Sequence, residues 1–347
     1  LQPQPSTTKT MMSVSAAKDK KMNSTSHHTL KHAKGFYKPF SFPWAFEFYV
    51  QQQSQHWTPE EVSLSEDVTD WNQKLSAGEK QLLTQLFRFF TQGDVDVGTA
   101  YLDKMIPFFK NEEVRMMLTS FAAMEATHVH AYSLLLDTVG MPEVEYQAFR
   151  EYDEMAAKHE YLERFSADSD ADMLKSLAVY SAFTEGLQLF STFAILKNFE
   201  RFNRMKGMCD IVTWSLRDES LHVEGMLTLA RAHMAEHPHL VTPLLKAELY
   251  QICEDMVTLE DHFIDLCFQG VTLQGLTAEE VKQYIRHIAD LRLQGLGLEP
   301  AYHIPVNPLP WVNALQGGVE HANFFERRVT EYSKGGLTGS WSEVWEA

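Results

Sequence analysis

Apolar residues recur along this chain at helical spacing, in unusually long runs. Behind Ser76, a residue suited to an N-cap, the pattern extends from 77 to about 105 and stops near Pro107. Asn111 is placed to cap a second run that ends at Gly140, a residue suited to a left-handed helix end. A shorter helix is predicted from Pro142 to about 165. Ser169 caps a further run from 171 to about 198. Others cover 204 to about 236, where His237-Pro238 ends the pattern, then 242–269 and 277–295. Strictly alternating, strand-like text is essentially absent. Runs near 30 residues exceed the usual helix mean of about 11–12, so the pattern predicts an all-α bundle of long helices.

The two ends read differently. Residues 1–35 are rich in Ser, Thr, Lys and Gln with few large apolar side chains, which predicts a disordered or loosely packed N-terminal tail. From Tyr37 to Asp70 the text is dense in aromatics and prolines and predicts an extended segment leading into a short helix across the bundle. Within it Trp57 precedes a helix start, with Thr58 as N-cap and Pro59 as first helical residue. From Pro300 the pattern is irregular. Residues 331–347, with Gly335, Gly336 and Gly339, predict a flexible tail whose aromatics, Tyr332, Trp341 and Trp345, suit docking to a partner.

Composition narrows the classes of function. The 347 residues carry a formal charge of −17, the reverse of a nucleic-acid binder's basic footprint. Three cysteines, Cys209, Cys253 and Cys267, form no C-x-x-C pair and read as buried thiols in a reducing compartment. No apolar run of membrane-spanning length and no secretory h-region is visible, so a cytoplasmic location is expected.

The candidate chemistry lies on the long runs. Glu125 and His128 are three apart, with Tyr132 four further on, and Glu219 and His222 repeat the Glu-x-x-His spacing. On a helix these spacings put the side chains on one face. Asp94 and Asp96 sit on the run before the first pair, and only one of them can face a shared site. Glu185 lies in the apolar text S-A-F-T-E-G-L-Q-L-F-S-T-F, where an ionised carboxylate is costly unless paired or ligated. Each half of the chain thus offers one carboxylate plus Glu-x-x-His. Four carboxylates and two imidazoles suit a pair of Fe or Mn ions better than zinc, which draws more on cysteine or a three-His set. Tyr132 is either a buried hydrogen-bonding phenol or a one-electron donor to such a centre.

In E-A-T-H-V-H-A-Y, R-D-E-S-L-H, Y-I-R-H-I-A-D-L-R-L-Q-G-L-G-L, N-P-L-P-W-V and N-F-F-E-R-R-V the chain resembles the small, radical-generating subunit of class I ribonucleotide reductase, over about residues 36–333. The resemblance implies a ferritin-like long-helix bundle over 36–330 with extra helices and a di-metal carboxylate site. Pro107 falls where that family has a proline, which favours Asp94 over Asp96. Carried over, the resemblance implies Asp94, Glu125 and His128 on one metal and Glu185, Glu219 and His222 on the other. It implies Tyr132 as the radical tyrosine. Trp57 matches the tryptophan of the electron-transfer route, with one extra residue between it and Asp94, and Asp218 matches the acid joining that tryptophan to a ligand histidine. Leu189 departs from relatives that carry phenylalanine there, whereas Phe193 is retained. Beyond Gly336 the tail departs too, leaving Tyr332 as the first candidate for a relay aromatic and Trp341 as the second.

The resemblance implies that the chain generates an oxidising equivalent and passes it to the large catalytic subunit, which reduces ribonucleotides to deoxyribonucleotides. It implies a homodimer that docks through its C-terminal tail. No Gly-rich phosphate loop is evident. The alternative is a stand-alone di-metal oxidase or monooxygenase on the same bundle.

Overall fold

A computed structural model describes residues 29–313, apart from 143, 144, 146 and 147. Four helices surround the site and are named here by the acid each carries. The Asp94 helix spans Ala77–Ala100 and continues as a π-helical turn, Tyr101–Met105. The Glu125 helix spans Glu112–Val139. The Glu185 helix runs in three pieces, Asp170–Leu177, a π-helical stretch Ala178–Gln188, and Leu189–Lys197. The Glu219 helix spans Lys206–Glu236. The Asp94 and Glu125 helices pack along each other, as do the Glu185 and Glu219 helices, and Pro243–Phe268 and Ala278–Gly295 close over the π-helical stretch.

Helix ends follow local chemistry. Ser76 Oγ accepts the Glu79 N–H while the Glu79 carboxylate accepts the Ser76 N–H, a reciprocal cap. Asn111 Oδ1 accepts from Glu113 and Val114, and Gly140 ends the Glu125 helix at φ 77°. A cap of this kind contributes about 1 kcal/mol. The Glu219 helix begins two residues later than its periodicity suggests, because Asn203 and Met205 take positive φ. Its first amides are capped from a distance: Asp67 accepts from Gly207 and Met208, and Asp70 accepts from Met205.

Two expectations change at the N-terminal side. Residues 29–35, read as part of the loose tail, are anchored. Leu30 is fully buried, its N–H donates to both Glu236 oxygens, and Lys34 pairs with Glu113 at 2.5 Å. The aromatic segment expected to start extended instead forms a helix at Pro43–Ser54, with Pro43 at its first turn, where a fixed φ and a missing N–H cost nothing. It packs across the Glu125 helix. Of the helix expected from Pro142 to about 165, the described residues include helical Glu145, a 3₁₀ turn at Ala148–Glu151 and a helix at Asp153–Glu163. All three cysteines are buried and free. Among the described residues no helix is long and apolar enough to cross a membrane.

Candidate metal centre

Six side chains from the four helices converge in the middle of the bundle. Donor atoms of Asp94, Glu125, His128 and Glu219 lie within 4.8 Å of one another, and so do those of Glu125, Glu185, Glu219 and His222. All six residues are buried. The two sets share Glu125 and Glu219, and each shared carboxylate turns one oxygen to each imidazole. Glu125 Oε2 is 3.5 Å from His128 Nδ1 and its Oε1 is 2.9 Å from His222 Nδ1. Glu219 Oε1 is 3.1 Å from His128 Nδ1 and its Oε2 is 3.4 Å from His222 Nδ1. Asp96 faces elsewhere, towards His159 and Gln92.

These approaches make no hydrogen bonds. Asp94 Oδ2, both oxygens of Glu125 and of Glu219, Glu185 Oε2, and Nδ1 of both histidines are buried without a hydrogen-bond partner. A single buried ion costs several kcal/mol even after relaxation, and native proteins leave few buried polar atoms unpaired. Four buried carboxylates therefore need a positive charge at the point where their oxygens aim. Divalent cations bound by oxygen and imidazole meet that need, so the donor set fits a pair of metal ions.

Electrostatics tell the same story in the protein alone. Burial, followed by the charges of its carboxylate neighbours, raises Asp94 well above the usual carboxylate range despite His128. Burial pushes Glu185 up to about 8. Burial also opposes ionisation of Glu125, but the imidazoles of His128 and His222 outweigh it and hold this carboxyl below its ordinary value. Burial disfavours charge on His128, yet Asp218, Glu125 and Glu219 outweigh it and raise that imidazole well above its ordinary value. Burial thus favours protons on Asp94 and Glu185 unless a cation balances their charge.

The Glu185 segment owes its position to its π-helical winding. Thr184 Oγ1 donates to the Val179 carbonyl at 2.9 Å, and Arg292 Nε donates to the Gly186 carbonyl at 2.7 Å. A Cβ at residue 186 would lie 2.8 Å from Arg292 Nε, so glycine admits the arginine. π-Helical turns widen a helix locally and recur at functional sites.

Around the six, hydrogen bonds fix orientation. His128 Nε2 lies 3.4 Å from Asp218 Oδ2, which also accepts Trp57 Nε1–H at 2.7 Å. The Trp57 and His128 rings stack with centroids 6.1 Å apart. Arg217 binds the other Asp218 oxygen, at 3.2 Å, and the Gln55 carbonyl. Tyr132, buried one turn past His128, donates to Ser215 Oγ at 3.0 Å and meets Phe90 edge-on. Burial, then the charge of Asp94, raises its phenol well above the ordinary range. Tyr332, Trp341 and Trp345 lie outside the described residues.

Sequence reading missed several of these groups. Tyr101 Oη donates to Glu185 Oε1 at 2.7 Å, and Gln52 Oε1 lies 3.1 Å from His222 Nε2. Tyr101 follows Asp94 by two helical turns and Ser215 precedes Glu219 by one, so same-face spacing could have found both. Gln52 sits in the polar run Gln51-Gln52-Gln53, where nothing local singles it out.

The model of the family described as ribonucleotide reductase, small chain, matches residues 35–308. A protein of Invertebrate iridescent virus 6 named "probable ribonucleoside-diphosphate reductase small subunit" is 39% identical, over 91% of this chain and 99% of that protein. The ribonucleoside-diphosphate reductase subunit beta of Chlamydia pneumoniae is 30% identical, over 86% of this chain and 90% of its own. Among solved structures, the ribonucleotide reductase R2 subunit from Clostridium botulinum superposes with a TM-score of 0.74 at 24% identity, over 80% of this chain and 89% of that one, a likeness of fold.

Proposed function

The chain belongs to the ribonucleotide reductase small-chain family, and from that premise we propose that it stores an oxidising equivalent at its carboxylate centre and delivers it to a large catalytic subunit. That subunit uses it to reduce ribonucleoside diphosphates. The observation that carries this reading is the chain of contacts from the centre to Trp57: His128 Nε2 to Asp218 Oδ2 at 3.4 Å, and Asp218 Oδ2 to Trp57 Nε1 at 2.7 Å.

In this reading Asp94 and His128 would hold one metal ion and Glu185 and His222 the other, with Glu125 and Glu219 within reach of both donor sets. Bound there, iron or manganese ions supply a strong one-electron oxidant. The chain's residues do the rest. Burial keeps the Tyr132 phenol protonated. Oxidised, it would give one electron to the metal centre and its hydroxyl proton to a carboxylate of that centre, Asp94 being the one whose charge acts on the phenol, and would store the equivalent as a neutral phenoxyl beside Phe90, which Phe193 backs. Asp218 accepts the indole N–H of Trp57, which eases loss of an electron from that ring because a proton can shift to the carboxylate. Asp218 also fixes the His128 ring, as outer hydrogen bonds do for metal-bound imidazoles.

The same reading places the chain in the cytoplasm as a homodimer, with a bundle domain over 36–330 joined by the anchored residues 29–35. It assigns residues 331–347 to docking on the large subunit, with Tyr332 relaying the electron. Removing residues 331–347 tests it. Turnover with the large subunit is expected to vanish while bound metal and any Tyr132 electron paramagnetic resonance signal persist. Retained turnover with the large subunit would refute the docking role of the tail.

A further inference from the structure

Away from the carboxylate centre, a second set of donor groups gathers where the Glu219 helix ends. His233 and His237 are one turn apart, and Asp170 opens the Asp170–Leu177 piece of the neighbouring helix. Donor atoms of the three lie within 4.8 Å of one another. His237 Nε2 is 3.5 Å and His233 Nε2 is 3.8 Å from Asp170 Oδ1. His233 Nε2 also lies 2.9 Å from the Asp170 carbonyl oxygen. His233 is fully buried, with its ring edge-on to Phe108 and Phe109. His237 Nε2 and His233 Nδ1 are buried atoms without a hydrogen-bond partner. Lys31 Nζ, from the anchored 29–35 segment, holds Asp170 Oδ1 at 2.8 Å.

We propose that Asp170, His233 and His237 form a site for one divalent transition-metal ion of the zinc class, which takes the Asp170 carboxylate from Lys31 when it binds. Two imidazoles and a carboxylate are a donor set for zinc-like ions, whereas magnesium and calcium draw on oxygen alone. Partial exposure of Asp170 and His237 leaves room for a water to complete the coordination. Burial holds the His233 imidazole below its ordinary value, in the direction of the neutral ring that ligation needs. Ligation through His233 Nε2 replaces its contact with the Asp170 carbonyl and requires the ring proton on Nδ1, the atom that now lacks a partner.

The site is separate from the carboxylate centre. From His222 to His233 the helix advances eleven residues (233 − 222), about 16 Å at 1.5 Å per residue. It also touches the N-terminal segment directly. Leu30 N–H is bound by Glu236, next to His237, and Lys31 is the cation a metal ion displaces. Occupancy therefore frees the Lys31 side chain while the Leu30 and Lys34 anchors remain.

Crystals of the full-length chain soaked in Zn2+, measured at the zinc absorption edge, test the site. An anomalous peak is expected between Asp170 Oδ1, His233 Nε2 and His237 Nε2, and it should vanish in His237→Ala. That partly exposed position tolerates the change, and zinc peaks in the carboxylate centre serve as the loading control. No peak at the trio beside a filled carboxylate centre overturns the proposal. In solution, with the carboxylate centre already filled by Mn2+, His237→Ala and Asp170→Asn should weaken the additional zinc-binding event by at least about tenfold. Lys31→Ala should tighten it several-fold. Unchanged affinity in the first two variants refutes the site, and unchanged affinity in Lys31→Ala refutes the exchange.

Discussion

The two halves of the carboxylate centre look alike in sequence and differ in their surroundings. Each half brings one carboxylate and one Glu-x-x-His. On the Asp94 side, His128 meets the carboxyl group of Asp218, which holds Trp57 and is itself held by Arg217. On the Glu185 side, His222 meets the neutral amide of Gln52, its ring packs on Phe121, and Glu185 accepts from Tyr101. The first half leads outward through an ionisable, redox-capable chain. The second is closed by a neutral amide, a phenyl ring and a π-helical stretch. In the proposed reading, duplicated ligand spacing sets where metal ions would be held, and the groups around each imidazole set which way an electron would travel.

The largest expected effect separates what the halves share from what they own. Glu219→Ala removes a carboxylate that serves both sets and should leave the purified protein with almost no bound metal. Glu185→Ala should leave about one ion per chain, on the Asp94 side. Metal analysis by mass spectrometry reads both, and equal losses in the two variants would break the distinction.

Next come the two outer partners. Asp218→Asn should lower turnover with the large subunit by roughly 100-fold while metal content stays near normal. Gln52→Ala should lower metal affinity by about tenfold and spare the Trp57 route. Steady-state assays paired with metal titrations distinguish these outcomes.

How much of this contrast was legible beforehand follows from where its signals lie. The ligands of both halves could be read because helix periodicity places Glu125 with His128, and Glu219 with His222, on one face. An isolated acid in apolar text marked Glu185. The contrast itself was partly hidden. Asp218 and Trp57 were reached only through family resemblance, since 161 residues separate them and no local spacing joins them. The π-helical winding around Glu185 leaves no mark in a 3.6-residue pattern. Gln52 belongs to a helix at Pro43–Ser54 in text expected to start extended, because that text is dense in aromatics and prolines. The anchoring of residues 29–35 depends on Leu30 and Lys34 meeting Glu236 and Glu113, contacts between distant parts of the chain.

Protonation sharpens the comparison further. In the metal-free protein burial pushes Glu185 up to about 8, whereas the imidazoles hold Glu125 below its ordinary value. A carboxyl raised on folding contributes stability that is complete below its unfolded value and lost as pH rises through the native one. Glu185 should therefore favour the metal-free fold at acidic pH and cease to do so as pH rises from about 4.5 to about 8. Infrared titration should show a protonated carboxyl band that disappears near pH 8 and is missing in Glu185→Gln. The smallest effect expected is that of Tyr101→Phe, which removes one hydrogen bond to Glu185 and should lower metal-free stability by about 1 kcal/mol in urea unfolding.

The central claim is that Glu125 and Glu219 each serve two metal ions. It is tested most directly by anomalous diffraction at the manganese edge from Mn2+-loaded crystals. The account predicts two peaks, one among Asp94, Glu125, His128 and Glu219 and one among Glu125, Glu185, Glu219 and His222, with an oxygen of each shared glutamate at both. A single ion, or two ions with no shared carboxylate, would contradict it.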